Sequence, residues 1–496
     1  MRIVTNILAR LGRRIRIAAS PCTAPAGPQS RKLRQTRHRT PKPPAGHVAP
    51  AAPVRPALAL QPPSIVQIER EVIEHFRPQM CQALQHKLDE LAASQTARLR
   101  PTCCNRPVPY HDRTRVPTLT RFGWVKILVS RYRCSRCRRE YRPLLGFLEV
   151  EPGKVSGSLA RLLGLLGVVV PYALAAELTL LFFGIHVNAM TVWRAVQRLG
   201  EPAARHMEGL AAYHEDSRSQ APPTPTPPDV VMLGVDGCAL GMQVRKTRRQ
   251  RKTSDEVLPP LPPVEEGRFR EVKTAVLLLP AERIEPSPGR HSVVRRVLVT
   301  CLGDADAIFS RAWAQLRELG WLGANTVVVI VGDGAEWIWN RAEMFKNHCE
   351  ILDFWHAMEY AWKYARLQFG ESSRCAHHFT HRIAKDLKAG KVYDVIARLK
   401  TLRPVSDEAR EALKAVIKYY TDNASRMQYD EYLRLGYGIG SGAVESAHKQ
   451  VVHARLRQAG MRWSEQGARR LLALRLLLLN GHWAMVDRLR MAPIAA

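Results

Sequence analysis

The chain has 496 residues, of which 75 are Lys or Arg and 44 are Asp or Glu, so its formal net charge is +31 at pH 7. This length predicts two to four domains with full hydrophobic cores. The positive charge favours a polyanionic partner, most simply nucleic acid. Ten cysteines at uneven spacing argue against a secreted disulfide framework and for a reduced, cytoplasmic protein with one metal cluster.

The first segment, residues 1–62, is rich in Arg, Pro and Ala and contains no Asp or Glu. Such a composition cannot bury enough apolar surface to offset its ordering entropy, so we predict a disordered basic tail. Met1–Ser20 resembles an organellar transit peptide, and a misassigned translation start is the alternative. Residues 63–100 have helical spacing of apolar residues.

Two cysteine pairs within residues 101–148 predict a zinc-ribbon-like module. Cys134 and Cys137 form a CxxC knuckle after a strand-like stretch, which suits tetrahedral thiolate ligation of Zn²⁺. Cys103 and Cys104 are adjacent and lack the usual knuckle spacing, so His111 is an alternative ligand. Free thiols are the alternative to zinc. Arginines around the second pair predict phosphate contact: Arg131, Arg133, Arg136, Arg138, Arg139 and Arg142.

Residues 149–215 predict a helix-turn-helix DNA-binding domain. The uncharged stretch Leu162–Ala176 is too short for a membrane span and contains a proline. We expect a buried helical pair, a turn at Gly184–Asn188 and a second helix over Ala189–Leu199 that enters the major groove. A helical hairpin of the core is the alternative. The second helix offers these side chains to DNA: Thr191, Arg194 and Arg198.

Two apolar strands beyond the proline-rich linker 216–228 each end in an aspartate. The β-branched run before Gly332 is followed by Asp333, and the run that starts at Val230 is followed by Asp236. Strands buried on both faces lie in the middle of a sheet and carry chemistry at their carboxyl ends. We therefore expect the two carboxylates to share a metal. Capping of the following helix by Asp333 is the structural alternative.

The order of elements in residues 229–356 predicts a mixed α/β sheet, in the succession of a ribonuclease H-like fold. The predicted strands span 230–235, 271–279, 292–301, 326–332 and 350–354, and the predicted helices span 305–319 and 335–346. Residues 357–437 predict a helical insertion, residues 438–485 the last core helices and residues 486–496 a tail. In the last part, a glycine-rich approach precedes a helix whose first turn carries Glu445. Glu445 is a natural third carboxylate, although the helix dipole and Lys449 also favour an acid there.

Several motifs in the same order resemble the DDE transposases of bacterial insertion sequences, in particular the ISKra group, which is related to the Mutator-like superfamily. The motifs are Asp236 in VDG, Asp333 in VGDGAEWIW, Asp353-Phe-Trp-His356, Glu445 in GSGAVESAHKQ, and Gly460-Met-Arg-Trp463-Ser. The resemblance covers the chain from about residue 100 to 485. It departs at Cys103 and Cys104, where the family has a spaced pair.

The resemblance implies a catalytic triad of Asp236, Asp333 and Glu445, with His356 close to the site. Three carboxylates hold two Mg²⁺ or Mn²⁺ ions for in-line phosphoryl transfer. Water would cut double-stranded DNA at the element ends, and the freed 3′-hydroxyl groups would attack target DNA. A homo-oligomer is expected in the synaptic complex, in the bacterial cytoplasm. A structural histidine is the alternative for His356.

Basic residues near the last helices would contact flanking phosphate: Lys449, Arg455, Arg457 and Arg462. Trp337 and Trp463 are candidates for base stacking, with core packing as the alternative. The rival function is a sequence-specific DNA-binding protein that makes no cut. A protein of the anionic membrane surface is a more distant rival.

Overall fold

The computed structural model describes residues 63–95, 100–151, 153–216, 226–243, 269–287 and 290–491. The chain divides into two compact units, Met1–Arg77 and Pro78–Ala496. Helix α1, Ile65–Gln95, begins in the described part of the first unit. The predicted basic tail lies outside the described residues, as does most of the proline-rich linker. No helix in the described part of the chain is long and apolar enough to cross a membrane.

A small five-stranded sheet follows α1. Its spatial order is β5-β4-β3-β7-β6, beside a separate hairpin of β1 and β2. The elements are β1 (Thr102–Cys103), β2 (Arg106–Pro107), β3 (Tyr110–Leu119), β4 (Trp124–Arg133), β5 (Glu140–Tyr141), α2 (Pro143–Phe147), β6 (Val150–Glu151) and β7 (Val155–Ser156). Val116 and Ile127 pack in one cluster with Leu84 and Leu88 of α1. The strand-like stretch predicted before Cys134 is β4.

Three helices come next: α3 (Gly157–Val169), α4 (Tyr172–Phe183) and α5 (Ala189–Glu215). Gly184 ends α4 with a φ of 60°, a left-handed conformation that glycine adopts without strain. Asn188 caps α5 by accepting from the Thr191 backbone N–H at 2.8 Å. The helix predicted to end at Leu199 runs on to Glu215 because its apolar side packs against a later helix, Glu465–Leu479.

The main sheet has five strands in the order β12-β9-β8-β13-β14. Along this order the first two pairs are antiparallel, and the pairs β8–β13 and β13–β14 are parallel. The elements are β8 (Val230–Gly241), β9 (Phe269–Leu278), β10 (Arg283–Ser287), β11 (Arg290–Val293), β12 (Arg296–Leu302), α6 (Ala305–Glu318), β13 (Val327–Gly332), α7 (Glu336–Trp339) and β14 (His348–Leu352). The fold class is therefore mixed α/β, as predicted.

Strand β8 is longer than predicted. We expected it to end before Asp236, but it continues to Gly241 because β9 pairs with it along the whole stretch, Asp236 lying opposite Thr274. The predicted strand 292–301 is divided, since β10 and β11 form their own hairpin and β12 starts at Arg296. The helix predicted over 335–346 is only the short α7.

A block of helices separates β14 from the last helices that contact the sheet. These helices are α8 (Phe354–Phe369), α9 (Arg374–Lys388), α10 (Val392–Lys400), α11 (Asp407–Asn423) and α12 (Tyr429–Arg434). The chain then returns to the sheet in α13 (Gly442–His448), α14 (Glu465–Leu479) and α15 (Met485–Met491). Helix α13 packs across β8, the central strand of the sheet, and its neighbour β9.

Two buried arginines join α3 to the last helices. Arg455 is 0% exposed and donates from Nε to the Gly167 carbonyl at 2.9 Å. Its guanidinium lies over the rings of Tyr172 and Trp463. Arg475 donates to the Val168 carbonyl at 2.6 Å in the same way. The prediction that Arg455 contacts phosphate is wrong, because this side chain is enclosed by protein.

We predict that Arg455→Ala lowers the free energy of unfolding by about 2–4 kcal/mol, since it removes a charged hydrogen bond and a desolvated cation–π contact. Chemical denaturation measures this loss. Arg457→Ala is the matched control: Arg457 is exposed two residues away, so its loss should be within about 0.5 kcal/mol. Equal effects of the two substitutions would contradict a structural role for Arg455.

Candidate carboxylate site and cysteine cluster

Asp236 and Asp333 lie side by side in the main sheet. β8 and β13 are parallel neighbours, and Val331 is paired with Gly234, so each aspartate follows its paired residue by two positions. The Asp236 Oδ1 accepts the Gly237 backbone N–H at 2.6 Å. The Asp333 Oδ1 accepts the Ala335 backbone N–H at 3.1 Å. One oxygen of each carboxylate thus accepts a neighbouring backbone N–H. Asp333 does not cap α7, because the N-cap position of that helix is held by Ala335.

The surroundings of Asp236 disfavour its charge. Burial is the main cause of its raised pKa, the negative charge of Asp333 adds to it, and His448 and His356 oppose it. Two neighbouring carboxylates in a half-buried position therefore repel each other across the two strands. A site of this kind attracts a cation.

Glu445 reaches the same region from α13 but remains half exposed. Its Oε1 lies 3.5 Å from the Ser441 hydroxyl, and its Oε2 lies 3.8 Å from the Lys449 ammonium. The i,i+4 pair weighed as the alternative is therefore present. Among the described residues, only the cysteines form a group of three or more ligand atoms within 4.8 Å of one another. The carboxylates of Asp236, Asp333 and Glu445 do not converge to that degree.

A fully buried carboxylate, Asp353, connects His356 to the approach of Glu445. Its Oδ2 accepts from the His356 Nδ1 at 2.6 Å and from the Ser441 hydroxyl, and its Oδ1 accepts the Trp355 backbone N–H at 2.9 Å. Burial would raise the Asp353 pKa, but these hydrogen bonds outweigh it and lower the pKa. The same contact with Asp353 raises the pKa of His356 to about 9, so the imidazole is protonated at neutral pH.

The sequence did not single out His448 as a site residue. It is 4% exposed, and its Nε2 lies 3.7 Å from the Asp236 Oδ2. Within the described part of the chain, neither ring nitrogen has a hydrogen-bond partner. The available signal was its position three residues after Glu445 on α13, which places both side chains on one side of the helix.

Tyr419 of α11 supports the Asp333 turn, which the sequence also did not predict. Its hydroxyl donates to the Asp333 carbonyl at 2.5 Å, and its ring stacks on Tyr360 with centroids 4.0 Å apart. Gly334 has a φ of +91°, and a Cβ there would lie 2.9 Å from the Tyr419 hydroxyl. The helical insertion therefore packs directly under the second aspartate.

The cysteines come together in the small sheet. Cys104 and Asn105 have φ values of 49° and 60°, which make the tight turn of the β1–β2 hairpin. This turn brings the adjacent pair, Cys103 and Cys104, to Cys134 and Cys137. His111 is not in the group, and its Nδ1 lies 3.4 Å from Asp112.

The spacing of the sulfur atoms suits zinc. Cys103 Sγ lies 3.8 Å from Cys104 Sγ and 3.5 Å from Cys137 Sγ. Tetrahedral Zn²⁺ with Zn–S bonds of about 2.3 Å separates its sulfurs by roughly 3.8 Å. Backbone N–H groups of Cys137 and Arg136 lower the pKa of Cys134 to about 6, whereas hydrogen bonds with Cys103 and Cys137 raise the pKa of Cys104 to about 12. The four cysteines could therefore hold a metal ion such as Zn²⁺.

The residues predicted to bind DNA are dispersed. The Thr191 hydroxyl donates to the Asn188 side chain at 2.9 Å, so it completes the helix cap. Arg194 is exposed on the same helix and Arg198 is half-buried near Gly153. Of the basic residues predicted to contact phosphate near the last helices, the exposed ones are Lys449, Arg457 and Arg462.

The two tryptophans weighed for base stacking are covered by protein. Trp463 is buried and donates from Nε1 to the Leu456 carbonyl at 2.8 Å. Trp337 is half-buried, with the Lys273 ammonium 3.6 Å from its ring centroid. Both support the core-packing alternative.

We predict that the purified protein carries about one Zn²⁺ per chain and that Cys137→Ser loses it, because zinc ligation needs the full thiolate set. Metal analysis measures the content, and a chelator should melt the small sheet. Cys375→Ser is the control, since Cys375 is an exposed free cysteine outside the cluster. The same zinc content in both variants would contradict the metal site.

We predict that His356 stabilises the fold in a pH-dependent way. Its folded pKa of about 9 lies above its ordinary value of 6.5, so its contribution is complete below pH 6.5 and is lost as the pH rises through 9. The free energy of unfolding of the wild type should fall across this window relative to His356→Gln. His378→Gln, at an exposed position of α9, should follow the wild type. Parallel curves for wild type and His356→Gln would show that the Asp353–His356 pair is not charged.

Comparison with known proteins shows a similarity over part of the chain and indicates no activity. The model of an uncharacterised protein family, UPF0236, matches residues 313–490. The matched region contains Asp333, Asp353, His356 and Glu445, and it excludes Asp236 and the four cysteines. No curated protein matches the chain.

Proposed function

We propose that this protein is a DNA transposase that cuts the ends of an insertion sequence by phosphodiester hydrolysis and joins the resulting 3′-hydroxyl ends to target DNA. The observation that carries the proposal is the placement of Asp236 on β8 and of Asp333 just after β13, the parallel neighbour of β8, while the helix that bears Glu445 packs on β8. Three carboxylates from separated parts of a chain at the middle of one sheet suit metal-dependent phosphoryl transfer.

The topology of the main sheet supports this proposal. From one edge of the sheet to the other the strands are β12, β9, β8, β13 and β14, which is the order third, second, first, fourth and fifth along the chain. Of these, only β9 is antiparallel to β8. This order supports the ribonuclease H-like core that we propose for residues 229–356. The helical block between β14 and α13 occupies the position that the resemblance gives to an insertion.

The donors fit Mg²⁺ or Mn²⁺. Carboxylate oxygens are the ligands that these ions prefer, and a cation would offset the burial and repulsion that raise the pKa of Asp236. Asp236, Asp333 and Glu445 would hold two such ions. When bound, the ions would activate the attacking oxygen and neutralise the leaving 3′ oxygen. Because the three carboxylates do not converge in the structure, Glu445 would close the site by moving on its exposed helix turn.

The residues of the chain then have separate roles. His356, protonated at neutral pH through Asp353, would contact the phosphate to be cut. Water attacks the phosphorus, the bond to the 3′ oxygen breaks, and that oxygen leaves with a proton as a hydroxyl group. In the second step this 3′-hydroxyl attacks a phosphate of target DNA and displaces another 3′ oxygen.

Double-stranded DNA is the partner that the charge of +31 favours. The exposed Lys449, Arg457 and Arg462 follow Glu445 along the chain and would contact phosphates that flank the cut. The arginines around the cysteine cluster would add contacts farther away. Joining two element ends at once would use more than one copy of the chain, so a homo-oligomer is part of the proposal.

A sequence-specific DNA-binding protein without cleavage is the second candidate. It is favoured by the distance between the three carboxylates, which leaves no closed metal group among them in the described residues. This candidate keeps the DNA contacts and requires no divalent metal. The two functions therefore differ in whether the carboxylates can be replaced without consequence.

We predict that Asp333→Ala and Glu445→Gln abolish metal-dependent cleavage of DNA that carries the flanks of this gene. Loss of a metal ligand should exceed the roughly 10- to 100-fold loss typical of outer-shell partners. Glu411→Gln, an exposed carboxylate of the insertion paired with Lys414, is the matched control and should cut like the wild type. Cleavage is scored as new 3′-hydroxyl ends with Mg²⁺ or Mn²⁺.

The catalytic proposal is wrong if the wild type binds the flanks but cuts nothing with either metal and the variants bind equally well. DNA binding without cleavage would then be the function. DNA binding by Asp333→Ala must be measured in parallel, so that loss of cleavage is not confused with loss of binding.

A further inference from the structure

Trp355 is exposed beside the carboxylate site. It is 62% exposed at the start of α8, between the buried Asp353 and the half-buried His356. Tryptophan, which has an apolar ring system and a polar N–H, is enriched where proteins contact partners. Trp124 is equally exposed, but it lies in the small sheet, away from the strands that carry the aspartates.

The position of the indole is supported from two sides. Its backbone N–H donates to the Asp353 Oδ1 at 2.9 Å, and the Phe354 backbone N–H donates to the Ile439 carbonyl at 2.9 Å. The Phe354 ring meets the indole edge to face, with centroids 5.3 Å apart. The backbone is therefore tied both to the end of β14 and to the loop that leads to Glu445.

Gly440 is the point of close approach between that loop and the indole. A Cβ on Gly440 would lie 3.1 Å from Trp355 Cδ1 and 3.2 Å from Nε1. These contacts are tighter than ordinary van der Waals contact, so the absence of a side chain lets the loop rest on this edge of the ring. The rest of the indole stays in solvent.

One cation contacts this aromatic pair, and others lie farther along α8. The Lys388 ammonium lies 4.7 Å from the Phe354 ring centroid. His356 follows Trp355 directly, and Lys363 and Arg366 are exposed farther along α8. An aromatic face flanked by cations suits a nucleotide, since the base stacks while the phosphate is neutralised.

We propose that Trp355 is the stacking platform for an unpaired nucleobase next to the phosphate that the carboxylate site cuts. The proposal rests on the function proposed above. Stacking needs the face of the base, which is accessible only where the duplex is opened or ends. Because every base has such a face, the subsite recognises strand opening and not sequence.

The test is equilibrium binding of the full chain, without divalent metal, to two fluorescein-labelled probes. One probe is a duplex with a short single-stranded thymidine tail, and the other is the same duplex with blunt ends. Trp355→Ala should weaken binding of the tailed probe by roughly 5- to 150-fold and leave blunt binding unchanged. Trp355→Phe should retain most of the preference for the tail, because phenylalanine also stacks.

Tyr393→Ala is the matched control, since Tyr393 is an aromatic residue that is 65% exposed elsewhere in the helical insertion; it should bind both probes like the wild type. A third probe, whose tail carries abasic sites, should bind wild type and Trp355→Ala equally. Equal binding of the tailed probe by Trp355→Ala and Tyr393→Ala overturns the proposal. So does an equal loss by Trp355→Ala on tailed, blunt and abasic probes, which would indicate a general effect on the fold.

Failure of the stacking proposal and failure of the proposed function give different results. If Trp355→Ala cuts DNA and binds the tail like the wild type, stacking fails and cleavage stands. If Trp355→Ala loses the tail selectively while the wild type cuts nothing, the subsite stands and the catalytic assignment fails. A wild type that binds no probe overturns both.

Discussion

The buried carboxylate of Asp353 is the interaction on which the candidate site depends. It receives hydrogen bonds from the start of α8, from the His356 imidazole and from Ser441 in front of Glu445. A carboxylate that is 0% exposed is tolerable only when its oxygens are bonded and its charge is balanced. The end of β14, His356 and the approach to Glu445 are therefore held together by one side chain.

A second constraint is the crowding of charge at the middle of the sheet. Burial and the neighbouring Asp333 disfavour the ionised form of Asp236, and the nearby histidines only partly compensate. Tyr419 and Gly334 hold the Asp333 turn rigidly against the insertion. Such unfavourable electrostatics on a rigid support are typical of sites whose stability is exchanged for function. On the proposed function, a divalent cation would relieve this repulsion.

Local sequence patterns predicted the boundaries of elements that depend on nearby residues. The β-branched run before Gly332 predicted β13 to within one residue, and Asp304 and Asn188 cap helices close to where the spacing placed them. Strand β8 was mispredicted to end at Asp236, because a following glycine usually ends a strand. Pairing with β9, some thirty residues later, carries it to Gly241. Cys104 likewise joins the cluster only through the conformation of its hairpin turn.

The sequence by itself determined the mixed α/β class, the helical insertion and the carboxylates worth examining, because periodicity, turn residues and strand ends are local properties. Only the tertiary structure decided that Arg455 is enclosed, that His448 faces Asp236 and that Trp355, and not Trp463, remains in solvent. An arginine or tryptophan has the same sequence signature in both environments. Its burial depends on which distant element packs against it, as Gly167 and Tyr172 do against Arg455.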